Sequence, residues 1–164
     1  MRDHAAMTRA VTIRRAGPAD AFAVAALDLQ RERELGALPG PGVLDRFADA
    51  WIADRRRITW LAEDGEGRPV AMLQATLVPS LPSSLGPATT RCHLEVIFVS
   101  SGNRGEGLEQ ALLAALLDWA RHESVPEVHA DVRTLGSGLS PLLDAEDFLA
   151  TTDHRRLDLT PGVS

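Results

Sequence analysis

Leu94-Glu95-Val96-Ile97-Phe98-Val99 runs into Ser100-Ser101-Gly102-Asn103-Arg104-Gly105-Glu106-Gly107-Leu108. The first six residues are apolar and β-prone except for Glu95. That pattern predicts a central strand, extending back to His93, covered on both faces. From about Gly107 to His122 the period changes. Leu108, Ala111, Leu112, Ala115, Leu116 and Trp119 recur at i, i+3, i+4, i+7, i+8 and i+11, the pattern of an amphipathic helix. Between strand and helix lies a glycine-bearing turn. The first amides of a helix have no partners within it and sit at the positive end of its dipole. Glycines there allow positive φ and close approach of a ligand to the backbone. Strand, turn and helix together make a cradle suited to a phosphate or pyrophosphate.

Outward from this unit the chain alternates strands and helices. Val11 to Arg15 predicts a first strand, and Gly17-Pro18-Ala19-Asp20 ends it. A helix follows with Phe22, Ala25, Ala26 and Leu29 on one side, and a second with Leu44, Phe47, Trp51 and Ile52 on its inner face. Thr59 to Glu63 and Pro69 to Val78 form a hairpin across the turn Asp64-Gly65-Glu66-Gly67, and Pro79 to Thr90 is a surface loop. After the long helix, Val128 to Val132 predicts a strand, Ser140 to Ala145 a short helix, and Phe148 to Leu159 a last strand or strand pair. The fold class is mixed α/β around one sheet. Residues 11–160 are read as one domain and residues 1–10 as a loose leader without a signal-peptide apolar stretch.

Composition narrows the function. Apolar residues make up 45% of the 164, enough for a core, and no apolar run approaches the ~20 residues that span a bilayer. A net charge of −6 argues against nonspecific nucleic-acid binding and leans toward a cationic acceptor. With one cysteine, Cys92, neither an intrachain disulfide nor a thiolate zinc cluster can form, so a cytoplasmic location is expected. No metal is expected: His129 and Asp131 share a strand face, but two ligands without a third do not make a site.

Three kinds of phosphate site share the strand–turn–helix logic. A P-loop ends in Gly-Lys-Ser/Thr, and the chain contains no lysine. A dinucleotide fingerprint needs a glycine where Gln110 stands and expects the motif near the first strand. The third fits. Arg104-Gly105-Glu106-Gly107-Leu108-Glu109 resembles the acetyl-CoA-binding motif of the GNAT superfamily of N-acyltransferases, Gln/Arg-x-x-Gly-x-Gly/Ala after an apolar strand. Arg104 and Gly107 match, Gly105 is a common companion, and Glu109 departs from the pattern. Ile13-Arg14-Arg15-Ala16-Gly17-Pro18-Ala19-Asp20 resembles the usual opening of these proteins, and the element order matches from Val11 to Leu159.

The resemblance implies an acetyl-CoA cosubstrate and direct transfer to an amine in a ternary complex. The fourth and fifth strands would splay apart to admit the pantetheine arm. Backbone groups of Ile97, Phe98 and Val99 would bond that arm, and amides of Arg104, Gly105, Glu106, Gly107, Leu108 and Glu109 would hold the pyrophosphate. A carboxylate at Glu109 would repel the pyrophosphate unless it points to solvent. The acceptor, a small-molecule or peptide amine, would meet the helical pair around Leu29 to Phe47 and the loop from Pro79 to Thr90. The resemblance is compatible with a homodimer, which no sequence feature demands.

An ammonium of pKa about 10 must lose a proton before it attacks. Glu95 lies four residues before Val99, where many resembling enzymes place a base acting through water. Taken as a regular strand, Glu95 shares a face with His93, Ile97 and Val99. A carboxylate on an apolar strand is costly unless paired or solvated. Catalysis and a structural ion pair, with Arg91 or Arg133, both satisfy that requirement at this stage. Cys92 has no mechanistic role to fill, and His122 suits the negative end of its helix. Resembling enzymes often carry a tyrosine that protonates the departing thiolate. This chain has no tyrosine: Leu143 occupies the place, Asp147 replaces the glycine before Phe148, and Gly136 stands where an asparagine is expected. Water, or a relay through Ser137 or Ser140, would serve an active enzyme. Two other readings stay open, an acyltransferase for longer acyl chains and a non-catalytic acyl-CoA-binding module.

Overall fold

A computed structural model of the chain describes residues 10–82, 84, 86–131, 135 and 137–148. Among these residues five strands form one sheet in chain order: β1 (Thr12–Arg15), β2 (Arg57–Glu63), β3 (Pro69–Pro79), β4 (Thr90–Val99) and β5 (Glu127–Ala130). Neighbours are antiparallel except β4 and β5, which are parallel. Among the described residues the α-helices include α1 (Ala21–Glu34), α2 (Val43–Ala53), α3 (Leu108–His122) and α4 (Ser140–Ala145). The predicted hairpin, central strand, long helix and short helix all form. The expected last strand pair, residues 148–159, lies outside the described residues apart from Phe148.

Strand alternation sorts the core into two layers. Trp60, Ala62, Ala71, Leu73, Ile97 and Val99 face α3, meeting Leu108, Leu112, Leu113 and Leu116. Leu61, Met72 and Phe98, one residue out of phase, face α1 and α2, meeting Val24 and Leu27 with Phe47 and Trp51 at the margin. The central strands are therefore apolar on both faces, as the sequence of β4 predicts.

Three helix faces differ in part from expectation. In α1 the buried set is Ala21, Val24, Ala25, Leu27, Asp28 and Leu29, whereas Phe22 is 57% exposed and Ala26 faces solvent. Ala25 and Leu29 are buried as expected, but the inner face also includes a polar residue, Asp28, so counting apolar positions alone draws in Phe22 and Ala26. In α2, Leu44, Phe47 and Trp51 pack inward as expected, but Ile52 lies on the exposed flank. In α3 Ala111 is exposed, while Leu113 and Ala120 join the core.

The chain's opening motif is a structural staple. Arg14 on β1 donates to Asp20 through Nη1 and Nη2, each at 2.8 Å, and to Glu63 at the end of β2. Asp20 also accepts from the Gly17 amide at 2.8 Å. Arg14 and the Gly17 amide hold the Asp20 carboxyl below its usual range, at about 2, against a smaller opposing cost of burial. The motif thereby ties β1 and β2 to the start of α1.

Candidate active site

The turn after β4 has the backbone that an anion cradle requires. Gly105 and Gly107 adopt φ of +79° and +75°, left-handed values that glycine reaches without steric cost, and a side chain built at either would meet nothing within 4 Å. Ala111 is the first amide of α3 bonded inside the helix, to the Gly107 carbonyl at 3.0 Å. The preceding amides of Leu108, Glu109 and Gln110 stand at the positive end of a helix of 15 residues without acceptors in it. Arg104 turns its side chain to the protein: Nε donates to the Val99 carbonyl at 3.1 Å and Nη2 pairs with Glu34 at the end of α1. The backbone of the turn, rather than the Arg104 guanidinium, is thus left to meet a ligand. Leu108 is buried, Glu106 is exposed, and Glu109 is half-buried rather than fully exposed in the first turn.

Ile97, Phe98 and Val99 are buried and paired with β3 on one edge. On the other edge β5 pairs only with Arg91 to Leu94 among the described residues. The outer half of β4 therefore presents an edge that β5 does not cover, beside the glycine turn. These features fit the phosphate and extended arm of acetyl-CoA.

Glu95 stands at a β-bulge. Gln74 pairs with Val96 and Ala75 with Leu94, so Glu95 is the extra residue in β4. The bulge corrects the regular-strand reading. Leu94 and Ile97, three residues apart, both face α3, while Glu95 and Val96 border a pocket on the α1 and α2 side. Its partner is also not one of the two expected: Arg57 Nη1 donates to Glu95 Oε2 at 2.7 Å and to Gln74 Oε1 at 3.1 Å. Arg91 instead pairs with Glu127 at 3.2 Å, and Arg133 lies outside the described residues.

The pocket, about 340 Å³, is lined by Asp28, Arg31, Phe47, Ala50, Trp51, Asp54, Arg57, Gln74, Glu95 and Val96. Asp28, 5% exposed, accepts from Arg31 Nη2 at 3.0 Å, and Asp54 lies 3.5 Å from Arg57 Nε. Trp51 is fixed by its Nε1–H donating to the buried Thr59 hydroxyl at 3.1 Å. Most of this polar set went unread in the sequence. Two signals were present: Asp28 within the apolar stripe of α1, and Gln74, 2% exposed, in the middle of an apolar strand. Buried polar groups in such places need partners, and their partners are the pocket.

The remaining candidates fall into place. Cys92 is fully buried, and burial pushes its thiol up to about 11, aided by the Glu95 charge, so it is protonated and inert at neutral pH. His93 stacks on His129 with ring centroids 5.1 Å apart, and His129 Nε2 lies 2.9 Å from Glu127. His122 is exposed in the last turn of α3. Leu143, at the tyrosine position, is 3% exposed and packs against the α3 layer with Leu139, Leu142 and Phe148 nearby. Asp147 takes a left-handed φ, +59°, a conformation that glycine reaches without steric cost, and the cap of α4 closes with Phe148 N–H donating to the Leu143 carbonyl at 3.1 Å. Ser140 is half-buried at the start of α4, Ser137 opens the short 3-10 turn Ser137–Leu139 before it, and Gly136 lies outside the described residues.

Comparisons with known proteins bear on the family and the fold. Residues 25–136, more than half of the chain, match the model of the acetyltransferase (GNAT) family. No curated protein matches the chain in sequence. Among solved structures, a predicted acetyltransferase with acetyl-CoA from Clostridium acetobutylicum superposes with a TM-score of 0.74 at 14% identity, covering 92% of this chain and 97% of that one. A ribosomal-protein-alanine N-acetyltransferase from Brucella melitensis gives 0.72 at 23% identity, with 93% and 100% covered. An aminoglycoside antibiotic 6'-N-acetyltransferase from Acinetobacter baumannii gives 0.68 at 20%, again with 93% and 100% covered. At these identities the likeness establishes the fold, the mixed sheet flanked by helices expected from the sequence.

Proposed function

The chain belongs to the acetyltransferase (GNAT) family, and from that premise we propose that it transfers an acetyl group from acetyl-CoA to a primary amine bound in the pocket beside Glu95. The observation that carries this reading is the bulge in β4. It turns the carboxylate of Glu95 toward the pocket, while the outer half of the same strand keeps an edge that β5 does not cover among the described residues. One strand thus serves two ligands on two sides.

In this reading the amides from Arg104 to Glu109 hold the pyrophosphate, and backbone groups of Ile97 to Val99 align the pantetheine arm. Glu95 accepts the ammonium proton through water. The freed amine attacks the thioester carbonyl, an N–C bond forms, the nitrogen gives its surplus proton to solvent, and the C–S bond breaks with the electron pair leaving on sulfur. With Leu143 buried in place of a hydroxyl, solvent protonates the thiolate; a thiol pKa of about 8.5 makes this a tolerable leaving group. The acceptor is a small-molecule or peptide amine, and the setting is cytoplasmic. Leu143 also supports a second reading, a binding module that retains acetyl-CoA without turning it over.

Calorimetric titration with acetyl-CoA, followed by thiol release in the presence of an amine panel, tests both readings. Binding with amine-dependent release of CoA supports the enzyme. Binding without release for any amine favours the module, and no binding removes both.

A further inference from the structure

The acceptor pocket holds its charges in an arrangement that asks for more than an amine. Among the described residues it is lined by three carboxylates, Asp28, Asp54 and Glu95, and two guanidiniums, Arg31 and Arg57. The proposed base is already matched: Arg57 Nη1 sits 2.7 Å from Glu95 Oε2. An ammonium brought to Glu95 would therefore stand beside a guanidinium, like charge against like charge. If the acceptor carries its own anion, the conflict resolves by exchange. The ammonium takes Glu95, the anion takes Arg57, and every charge keeps a partner.

The donors for that anion exist. Arg57 spends Nη1 on Glu95 and Gln74 and directs Nε toward Asp54, and its Nη2 has no partner among the described residues. Arg31 lines the same pocket and uses Nε and Nη2 on Asp28. A planar guanidinium with unused N–H groups is suited to a carboxylate or phosphate. The pocket's net single negative charge pulls the other way, toward a plain cation. Apart from Asp28, which Arg31 already pairs, that field comes from partly exposed side chains and is screened by solvent and salt, whereas a charge-assisted hydrogen bond to Arg57 is directional and short-range. The directional term wins.

On these grounds, and resting on the acetyltransferase reading above, we infer that the acceptor is a small amine that also bears an anionic group, carboxylate or phosphate. The anion is held by Arg57 with Arg31 near it, and its arrival releases Glu95 to take the ammonium. Arg57 then acts as a specificity residue and as a positioning residue for Glu95. The pocket volume, about 340 Å³, suits an acceptor of metabolite size.

The test uses the full chain and a matched short-chain set: n-butylamine, 1,4-diaminobutane, 4-aminobutyrate and 3-aminopropyl phosphate. Acetyl-CoA binding is measured first on the same preparation, then each amine is titrated by calorimetry at saturating CoA. Charge-assisted hydrogen bonds of about 1.5–3 kcal/mol correspond to roughly 10-fold or more. At least one acidic amine is therefore expected to bind about 10-fold or more tightly than butylamine, with carboxylate and phosphate arms telling the two anions apart. Arg57→Gln should flatten the series and Arg57→Lys should keep part of it. Equal or tighter binding of butylamine or the diamine overturns the inference, as does a failure of every amine to bind, or a preference that survives in Arg57→Gln. The wild-type series decides even where a variant does not fold. Loss of acetyl-CoA binding itself would instead count against the acetyltransferase reading.

Discussion

The two halves of the site are built differently. The proposed cofactor half is local: Leu94 to Leu108 supplies a strand, a turn and a helix start within fifteen consecutive residues, and the groups proposed to meet the ligand are backbone amides. The acceptor half is assembled from Asp28, Arg31, Trp51, Asp54, Arg57, Gln74 and Glu95, which come from α1, α2, β2, β3, β4 and the turn between α2 and β2, and its groups are side chains. A backbone site depends on conformation, so a few glycines and a helix period announce it. A side-chain site depends on which faces meet, and nothing in the spacing of seven distant residues reveals that. The ion pair of Arg104 with Glu34 ties the turn of the first half to α1, the helix that supplies Asp28 and Arg31 to the second.

The sharpest way to break this division is to strike each half and look for effects in the other. Glu95→Gln keeps shape and removes the base. Its turnover should fall about 10²–10⁴-fold while acetyl-CoA affinity stays unchanged, as read by thiol release and calorimetry side by side. A rate within a few-fold of the parent would reduce Glu95 to a partner for Arg57. Gly107→Trp attacks the other half, forcing a bulky residue into φ of +75° at the mouth of the cradle. Acetyl-CoA should bind about 100-fold more weakly, or by about 2.7 kcal/mol, with the melting transition still cooperative. Undiminished affinity would mean that the pyrophosphate lies elsewhere.

Smaller effects probe the scaffold behind each half. Asp20 has a depressed folded pKa of about 2, so the staple between β1, β2 and the start of α1 contributes its stability above the unfolded value near 4 and loses it as pH falls toward 2. Screening at the partly open Arg14 holds the expected cost of Asp20→Asn to about 1 kcal/mol at pH 7. Chemical denaturation should show the difference between variant and parent shrinking from pH 5 to pH 2; a constant difference would point to the Gly17 cap instead.

Behind the cofactor half, α3 and α4 both end on left-handed residues that are not glycine, Ser124 at φ +55° and Asp147 at +59°. Val125 N–H reaches the Ala120 carbonyl at 2.8 Å, completing at α3 the same capping motif seen at α4. Ser124→Gly and Asp147→Gly should each stabilise by about 0.5–1 kcal/mol, relief of backbone strain exceeding the added chain entropy. Thermal melts check this, with Ser124 the larger gain because aspartate tolerates the left-handed region better.

The fold was legible because strong periods marked it. The apolar run of β4 and the heptad-like stripe of α3 predicted their elements to within a few residues, as did the hairpin turn at Asp64 to Gly67. Reading failed where burial and polarity conflict. Asp28 disguised the inner face of α1, and the bulge at Glu95 shifted the phase of β4 by one residue, so that Glu95 faces away from Ile97 and Val99. A register shift leaves no mark in composition, because it is decided by the partner strand.

The sequence by itself determined the order of elements, the glycine turn at the head of α3 and the family to which the chain belongs, since each rests on local periodicity and backbone freedom. Only the tertiary structure decided that Glu95 meets Arg57 rather than Arg91, and that Arg104 turns to Glu34. It also decided that a buried aspartate, two arginines and a tryptophan line one pocket. Those facts depend on how sheet and helices pack against one another, and long-range side-chain proximity exists only once the layers have closed.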